Sequence, residues 1–226
     1  MLHPSVVILL SLIILLYIVS SRIQSTLIGL FSNTIPMGKF VVYLIWFLYL
    51  PGIILHELSH LIGAVALFLH VKSIHLLPSI SENEEGHREI KLGSVTYNKA
   101  DPIRGILVGI APFFIGTLVL ILLFQYIHFP NPLTFYNILF IYLTFVISST
   151  MFSSKKDLQD LFYIIPTIAL FVFIFFILQF NPFSYIHLSL TLQKDGLNFV
   201  NQINQMFTLS LIINLVIYAI VKLIKR

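Results

Sequence analysis

Two histidines and a glutamate lie close together in one of the most apolar parts of this sequence, as His56-Glu57-Leu58-Ser59-His60. In a helix, positions i and i+4 share a face, so both imidazoles could bind one metal ion. Glu57, one position further round the helix, could then accept a proton from a water molecule activated by that ion. Ionisable groups at membrane depth are costly, so their presence in an apolar run predicts a functional site. We therefore expect His56 and His60 to be ligands of a zinc ion (Zn2+) and Glu57 to be a catalytic base.

The composition predicts a protein that is integral to a membrane. Of the 226 residues, 58% are hydrophobic and only 10% are charged, and the mean hydropathy is +0.98. A soluble core could not bury this much apolar surface. The sequence has no Cys, which excludes disulfides and cysteine zinc ligands. The charges lie in predicted loops and form no basic face, so no nucleic-acid partner is expected.

Apolar runs of membrane-spanning length, about 17–25 residues each, occur six times in the chain. They lie near 4–21, 40–69, 104–127, 133–152, 161–180 and 205–223. We predict an all-α polytopic membrane protein with about six transmembrane helices, forming a single domain over residues 1–226. The second run is too long for one straight crossing, and Pro51-Gly52 is expected either to kink it or to start a new helix.

A polar insertion follows the second run. Residues 71–77 and 89–97 alternate apolar and polar side chains over much of their length, and the acidic, turn-like segment 81–86 separates them. This pattern predicts a small β-hairpin within residues 71–100 at the cytoplasmic face. The hairpin could be a solvated connector, or its edge could pair with an extended substrate.

The distribution of Lys and Arg predicts how the chain is oriented. If the six runs alternate in direction, one side of the membrane carries ten Lys and Arg residues and the other side carries three. The positive-inside rule then places both termini, the 70–103 loop and the 153–160 loop in the cytoplasm. His56 and His60 would lie in the cytoplasmic half of the second span. The composition also suits a prokaryotic plasma membrane.

A catalytic zinc ion generally has three protein ligands and an open position for water. Asp157 and Asp160 are the candidates for the third ligand, because they follow a polar break at Ser148–Ser154 on the same predicted side as the histidines. They are spaced i, i+3, so they share one face of a helix. The downstream Glu residues lie in the hairpin, Asp101 is expected to cap a helix, and Asp195 is predicted on the opposite side.

This layout resembles the site-2 protease family of intramembrane zinc metalloproteases. That family has His-Glu-x-x-His in one span and an Asp ligand two spans later, in a segment of the type Asn-x-x-Pro-x-x-x-x-Asp-Gly. Placed on this chain, the segment puts Ser149 at the Asn, Ser153 near the Pro and Asp157 at the ligand. Gly109-Ile-Ala-Pro112 resembles the family's Ala-Gly-Pro stretch, and the hairpin also has a counterpart. The resemblance covers residues 40–165, which we take as the core of the domain.

The resemblance implies a zinc metalloendopeptidase that hydrolyses peptide bonds of transmembrane-protein substrates near the cytoplasmic side of the bilayer. His56, His60 and Asp157 would bind zinc, with Asp160 as the alternative third ligand, and Glu57 would be catalytic. Other interpretations stay open: an inactive membrane scaffold that keeps the metal site, a zinc protease of the class that processes prenylated proteins, or a metal transporter. The prenyl-protein class takes a Glu ligand from a helix, whereas every downstream Glu here lies within 82–89. The oligomeric state is left open.

Overall fold

The computed structural model describes residues 3–34, 39–82, 88–98, 101–125, 135–152 and 190–225. These residues include five α-helices: α1 (Pro4–Thr34), α2 (Lys39–Ala66), α3 (Pro102–Gln125), α4 (Phe135–Thr150) and α5 (Leu190–Ile224). Five of the predicted spans each overlap one of these helices, and α2 continues through Pro51 as one helix. The predicted fifth span, 161–180, lies outside the described residues.

Four of the described helices, all except α4, are long and apolar enough to cross a membrane. Helix α4 is shorter, with 16 residues. Large apolar side chains on the outer surfaces of the bundle are exposed, such as Ile14 at 59%, Phe47 at 68% and Phe114 at 62%. Such surfaces would be unfavourable in water and are stable against lipid. The chain is therefore an integral membrane protein.

Side-chain contacts between α2, α3 and α4 give the direction of each helix. The Tyr142 hydroxyl donates to the carbonyl of Leu48 at 2.9 Å. Further along both helices, the His56 ring contacts the carbonyl of Thr150, so α2 and α4 run parallel. Helix α3 is antiparallel to α4, because Phe124 packs on Phe140 while Gly116, earlier in α3, lies against Met151 just after α4. We call the end of the bundle where α2 finishes and α3 begins the hairpin end.

Helices α1 and α5 run parallel to each other. The Asn204 Nδ2 donates to the carbonyl of Ser5 at 2.9 Å, and the Lys225 side chain lies against Gly29 near the other end of α1. Helix α1 is antiparallel to α4, because Tyr17 packs on Phe152 while Gln24, later in α1, bonds the carbonyl of Ser149. Both α1 and α5 therefore begin at the hairpin end, and residues 3 and 225 lie at opposite ends of the bundle. This direction of α5 differs from the one obtained by counting alternate crossings, from which both termini were expected in the cytoplasm. The membrane side of each terminus stays a prediction.

The reversal of α5 also changes the distribution of charge. Lys194 at the start of α5 moves to the hairpin end, where Lys72 and Arg104 also lie. Lys222 and Lys225 move to the opposite end. Among the described residues, both ends then carry Lys or Arg side chains, so α5 no longer adds positive charge to the side expected to be cytoplasmic.

Paired β-strands follow α2, as predicted: β1 (Val71–His75), β2 (Ser79–Glu82), β3 (Arg88–Lys91) and β4 (Ser94–Tyr97). Strand β1 pairs antiparallel with β4, and β2 pairs antiparallel with β3. We call these two strand pairs together the β-ribbon (71–82 and 88–97). The predicted strand pairing within 71–100 is thus confirmed.

The β-ribbon folds back along α2. The indole N–H of Trp46 donates to the carbonyl of Leu76 at 2.7 Å. Trp46 precedes the last residue of α2 by 20 residues, which is about 30 Å along a helix axis. The hairpin was expected at the membrane face, whereas this contact places Leu76 beside the first half of α2. The alternating pattern reports which side chains meet water or polar neighbours, and it does not report how deep in the bundle the strands lie.

Candidate metal centre

His56 and His60 face each other on α2. Their Nε2 atoms are 3.2 Å apart, and their rings are close to perpendicular, with an interplanar angle of 84°. Two nitrogen ligands of a tetrahedral zinc ion, each about 2.05 Å from the ion, lie about 3.3 Å apart. The separation of the two Nε2 atoms therefore fits a pair of ligands that share one zinc ion.

The end of α4 orients the ring of His56. The Nδ1 of His56 lies 2.7 Å from the carbonyl oxygen of Thr150. A carbonyl can only accept, so Nδ1 carries a proton and, in the neutral ring, Nε2 carries the lone pair. Thr150 is the last residue of α4, and the last carbonyls of a helix have no partner within the helix. The helix end thus supplies the acceptor that fixes the tautomer of His56.

A proline in α3 makes the equivalent acceptor available to His60. The Nδ1 of His60 lies 2.9 Å from the carbonyl oxygen of Val108. In a regular helix this carbonyl would accept from the amide four residues later, but that residue is Pro112, which has no N–H. Both rings are therefore anchored through Nδ1, with their Nε2 atoms directed at each other.

Two facing Nε2 lone pairs repel each other unless a proton or a cation lies between them. Metal-ligating histidines in proteins almost always donate their other ring N–H to a carboxylate or a backbone carbonyl, which is the arrangement found for both rings here. The donor set thus fits zinc. A shared proton would give an imidazole–imidazolium pair, and a zinc measurement separates the two cases.

Glu57 is buried between α2 and the β-ribbon. Its side chain is 7% exposed. A Cβ added to Gly93, in the turn between β3 and β4, would lie 2.8 Å from both Cγ and Oε1 of Glu57. Only glycine permits this approach of the ribbon backbone to the carboxylate. The neighbouring Leu92 packs against the apolar cluster that includes Tyr49, so the ribbon is held in place beside Glu57.

A second glycine lets α2 and α4 approach each other one turn before His56. A Cβ at Gly52 would overlap Thr150 Oγ1 and would lie 2.6 Å from Val146 Cγ1 and 2.9 Å from the Val146 carbonyl oxygen. The hydroxyl of Thr150 donates back to that same carbonyl at 2.9 Å. Gly52 therefore sets the helix separation at which the ring of His56 can reach Thr150.

Both predicted third ligands, Asp157 and Asp160, lie outside the described residues. Within the part of the chain that the structure describes, no group of three His, Cys, Asp or Glu side chains could hold a metal ion. The structure thus brings His56 and His60 together with Glu57 at the adjacent position, and the third ligand stays a prediction.

Sequence reasoning missed Asn214 of α5. The hydroxyl of Ser149 donates to Asn214 Oδ1 at 2.8 Å, and Asn214 is fully buried. A lone amide in the apolar half of a candidate span is the signal that could have found it, because polar groups at membrane depth are costly.

No protein-family model, curated protein or solved structure matches this chain. The fold and the site define it as an integral membrane protein with a buried His-Glu-x-x-His motif on a membrane-spanning helix. The resemblance of its motifs to those of the site-2 protease family stays a prediction.

Proposed function

We propose that this protein is an intramembrane zinc metalloprotease of the site-2 protease type, which hydrolyses peptide bonds of transmembrane-protein substrates. One observation carries the proposal: the Nε2 atoms of His56 and His60 lie 3.2 Å apart, and each ring is anchored through Nδ1 to a backbone carbonyl of a neighbouring helix. A pair arranged only for stability would not need two matched anchors. The buried Glu57 is the adjacent residue of the motif.

Each residue of the motif has a role in the proposed reaction. His56 and His60 hold the zinc ion, with Asp157 as the third ligand and Asp160 as the alternative. A zinc ion held by these residues would supply Lewis-acid chemistry, which lowers the pKa of a bound water molecule to about 7. Glu57 accepts the proton of the attacking water and passes it to the leaving amine.

Hydrolysis at this depth requires water and an extended substrate. Strand edges at membrane depth are tolerated only where protein or a water-filled cavity covers them, so the β-ribbon beside Glu57 supports a hydrated space at the site. Among the described strands each pairs with one neighbour. An extended stretch of substrate could add to the open edge of the ribbon, which would present its peptide bonds outside a helix.

We place the hairpin end on the cytoplasmic side of a prokaryotic plasma membrane, with the surrounding bilayer as the second partner. The site would then act on substrates near the cytoplasmic side. Labelling of single cysteines at positions 72 and 225 with a membrane-impermeant maleimide tests the direction of the helices on which this placement depends.

The first test measures zinc in the purified protein. Wild type is expected to contain equimolar zinc, and Glu57→Gln is expected to retain it. His56→Ala, His60→Ala and Asp157→Ala are expected to lose it. His75→Ala is the matched control, because His75 is an exposed histidine of β1 and is expected to have no effect. Full zinc retention in Asp157→Ala with loss in Asp160→Ala would reassign the third ligand.

The second test measures cleavage. Mass spectrometry of protein N-termini would compare membranes of cells that produce wild type or Glu57→Gln. A protease is expected to create new N-termini inside transmembrane segments only in the wild-type membranes. An inactive scaffold would give identical sets of N-termini for both proteins. Cuts confined to the C-termini of prenylated proteins would instead indicate the prenyl-protein class.

A further inference from the structure

Asn214 on α5 binds the last turn of α4 at the depth of the metal site. Its Oδ1 accepts from the Ser149 hydroxyl at 2.8 Å, and its Nδ2 donates to the Ser148 hydroxyl oxygen at 2.7 Å. The same Nδ2 also donates to the carbonyl of Ser210, one turn earlier on α5, at 2.8 Å. One fully buried amide thus holds both serines that precede Thr150.

The last turn of α4 is fixed by three other helices. Helix α1 contributes Gln24, whose Nε2 donates to the Ser149 carbonyl at 3.2 Å. Helix α2 contributes His56, bound to the Thr150 carbonyl at 2.7 Å, and α5 contributes Asn214. Because Thr150 follows Ser149 directly, a shift of Ser149 moves the carbonyl that orients His56.

Stability alone does not explain the polar residues around Asn214. The hydroxyl oxygens of Ser20, Thr144 and Ser210 are buried, and within the described structure they have no hydrogen-bond partner. Ser20 lies four positions before Gln24, Thr144 before Ser148, and Ser210 before Asn214. Each hydroxyl is therefore one helical turn from a residue that bonds the end of α4 or Asn214 itself. Buried polar groups are costly inside a membrane protein, and these three surround the cluster that Asn214 forms with the end of α4.

We propose that Asn214 is a positioning residue of the metal centre, which acts through Ser149 and Thr150 on the ring of His56. This inference rests on the proposed function, because it takes zinc to be the ion that His56 binds. Partners that orient metal-ligating histidines typically contribute 10- to 100-fold to metal affinity, and Asn214 acts one step further out, so we expect about tenfold.

The test compares two asparagines of the same helix in the purified full-length protein. Asn204 is also buried, but its Nδ2 bonds the first turn of α1, away from the end of α4. The zinc dissociation constant would be measured by competition with a chromophoric chelator. We expect Asn214→Ala to bind zinc about tenfold more weakly than wild type, and Asn204→Ala to stay within about twofold. The visible spectrum of the cobalt-substituted protein is expected to change only in Asn214→Ala.

Two results would overturn the inference: wild-type zinc affinity in Asn214→Ala, or equal weakening in both variants. If Asn214→Ala does not fold, Ser149→Ala removes a single hydroxyl from the same path and is expected to weaken zinc binding in the same direction. If both fold, the double variant is expected to be no weaker than Asn214→Ala alone, since the two act in series. Absence of zinc binding by the wild-type protein would contradict the proposed function itself. This outcome differs from equal zinc affinity in wild type and Asn214→Ala, which would contradict only the role of Asn214.

Discussion

Replacing Gly52 with alanine should separate α4 from α2 and weaken the zinc site without touching a ligand. The added Cβ would lie 2.9 Å from the Val146 carbonyl oxygen and 2.6 Å from Val146 Cγ1, and would overlap Thr150 Oγ1. The valine and threonine side chains can rotate, but the backbone oxygen of Val146 moves only with α4. The helix must therefore shift.

The size of the shift follows from these contacts. Ordinary contact begins at 3.4 Å, so the Val146 oxygen must retreat by 0.5 Å from its position at 2.9 Å. The same movement at Thr150 would lengthen its hydrogen bond to His56 from 2.7 Å to about 3.2 Å, the long end of the usual range. We expect Gly52→Ala to lose about 1–3 kcal/mol of stability from overpacking, and to bind zinc about tenfold more weakly through the lengthened anchor.

The assay pairs chelator competition for zinc with thermal unfolding of the same detergent-solubilised protein. Gly196→Ala is the matched control, because a Cβ there meets nothing within 4 Å. Alanine is favoured over glycine in a helix by up to about 1 kcal/mol, so this control should be as stable as wild type or more stable, with unchanged zinc affinity. Wild-type affinity in Gly52→Ala would show that α4 does not need to hold His56 in place.

Three further predictions concern Pro112, Gly93 and the direction of α5. Pro112→Ala restores an N–H that competes with His60 for the Val108 carbonyl. Thermal unfolding should therefore show a gain of up to about 3 kcal/mol of stability, while chelator competition should show up to about tenfold weaker zinc binding. A rise in both stability and zinc affinity would contradict the anchoring role of the Val108 carbonyl. Gly93→Ala places a Cβ 2.8 Å from Glu57 Oε1, so cleavage should fall while zinc content stays equimolar. Loss of zinc would contradict the expectation that Gly93 affects Glu57 and not the metal ligands. In this Cys-free chain, Lys72→Cys and Lys225→Cys should react with a membrane-impermeant maleimide from opposite sides of the membrane, and labelling from the same side would contradict the parallel packing of α1 and α5.

The sequence was sufficient for features that depend on local pattern. Apolar length predicted five of the described helices, and the polar break predicted at Ser148–Ser154 includes Thr150, where α4 ends. The hydroxyls of Ser148 and Thr150 bond carbonyls of their own helix, and such local bonds compete with helix continuation. Helical spacing likewise predicted that His56 and His60 would share a face, because an i, i+4 pair is adjacent in any helix.

Features that depend on how helices approach each other could not be read from the chain. The orientation of α5 is set by contacts such as Asn204 with Ser5, whose partners are 199 positions apart in sequence. Pro112 reads in the sequence as an ordinary proline of a membrane helix. Its effect on His60 emerges only when α3 lies close enough for the ring to reach Val108. The depth of the β-ribbon was missed for the same reason, because it depends on contacts between distant residues, such as Trp46 with Leu76 and Gly93 with Glu57.

The fold gives the buried Glu57 carboxylate polar surroundings, which its proposed role would require. A buried Glu57 surrounded only by lipid-facing helices would lack a route for water, and burial without partners would be costly. The β-ribbon changes this environment, because its turn at Gly93 brings backbone polar groups against the carboxylate. Backbone of this kind at membrane depth implies neighbouring protein or water. The contact of the β-ribbon with α2 at Glu57 therefore places polar backbone beside the proposed metal-binding face, which a helix bundle without the ribbon would not provide.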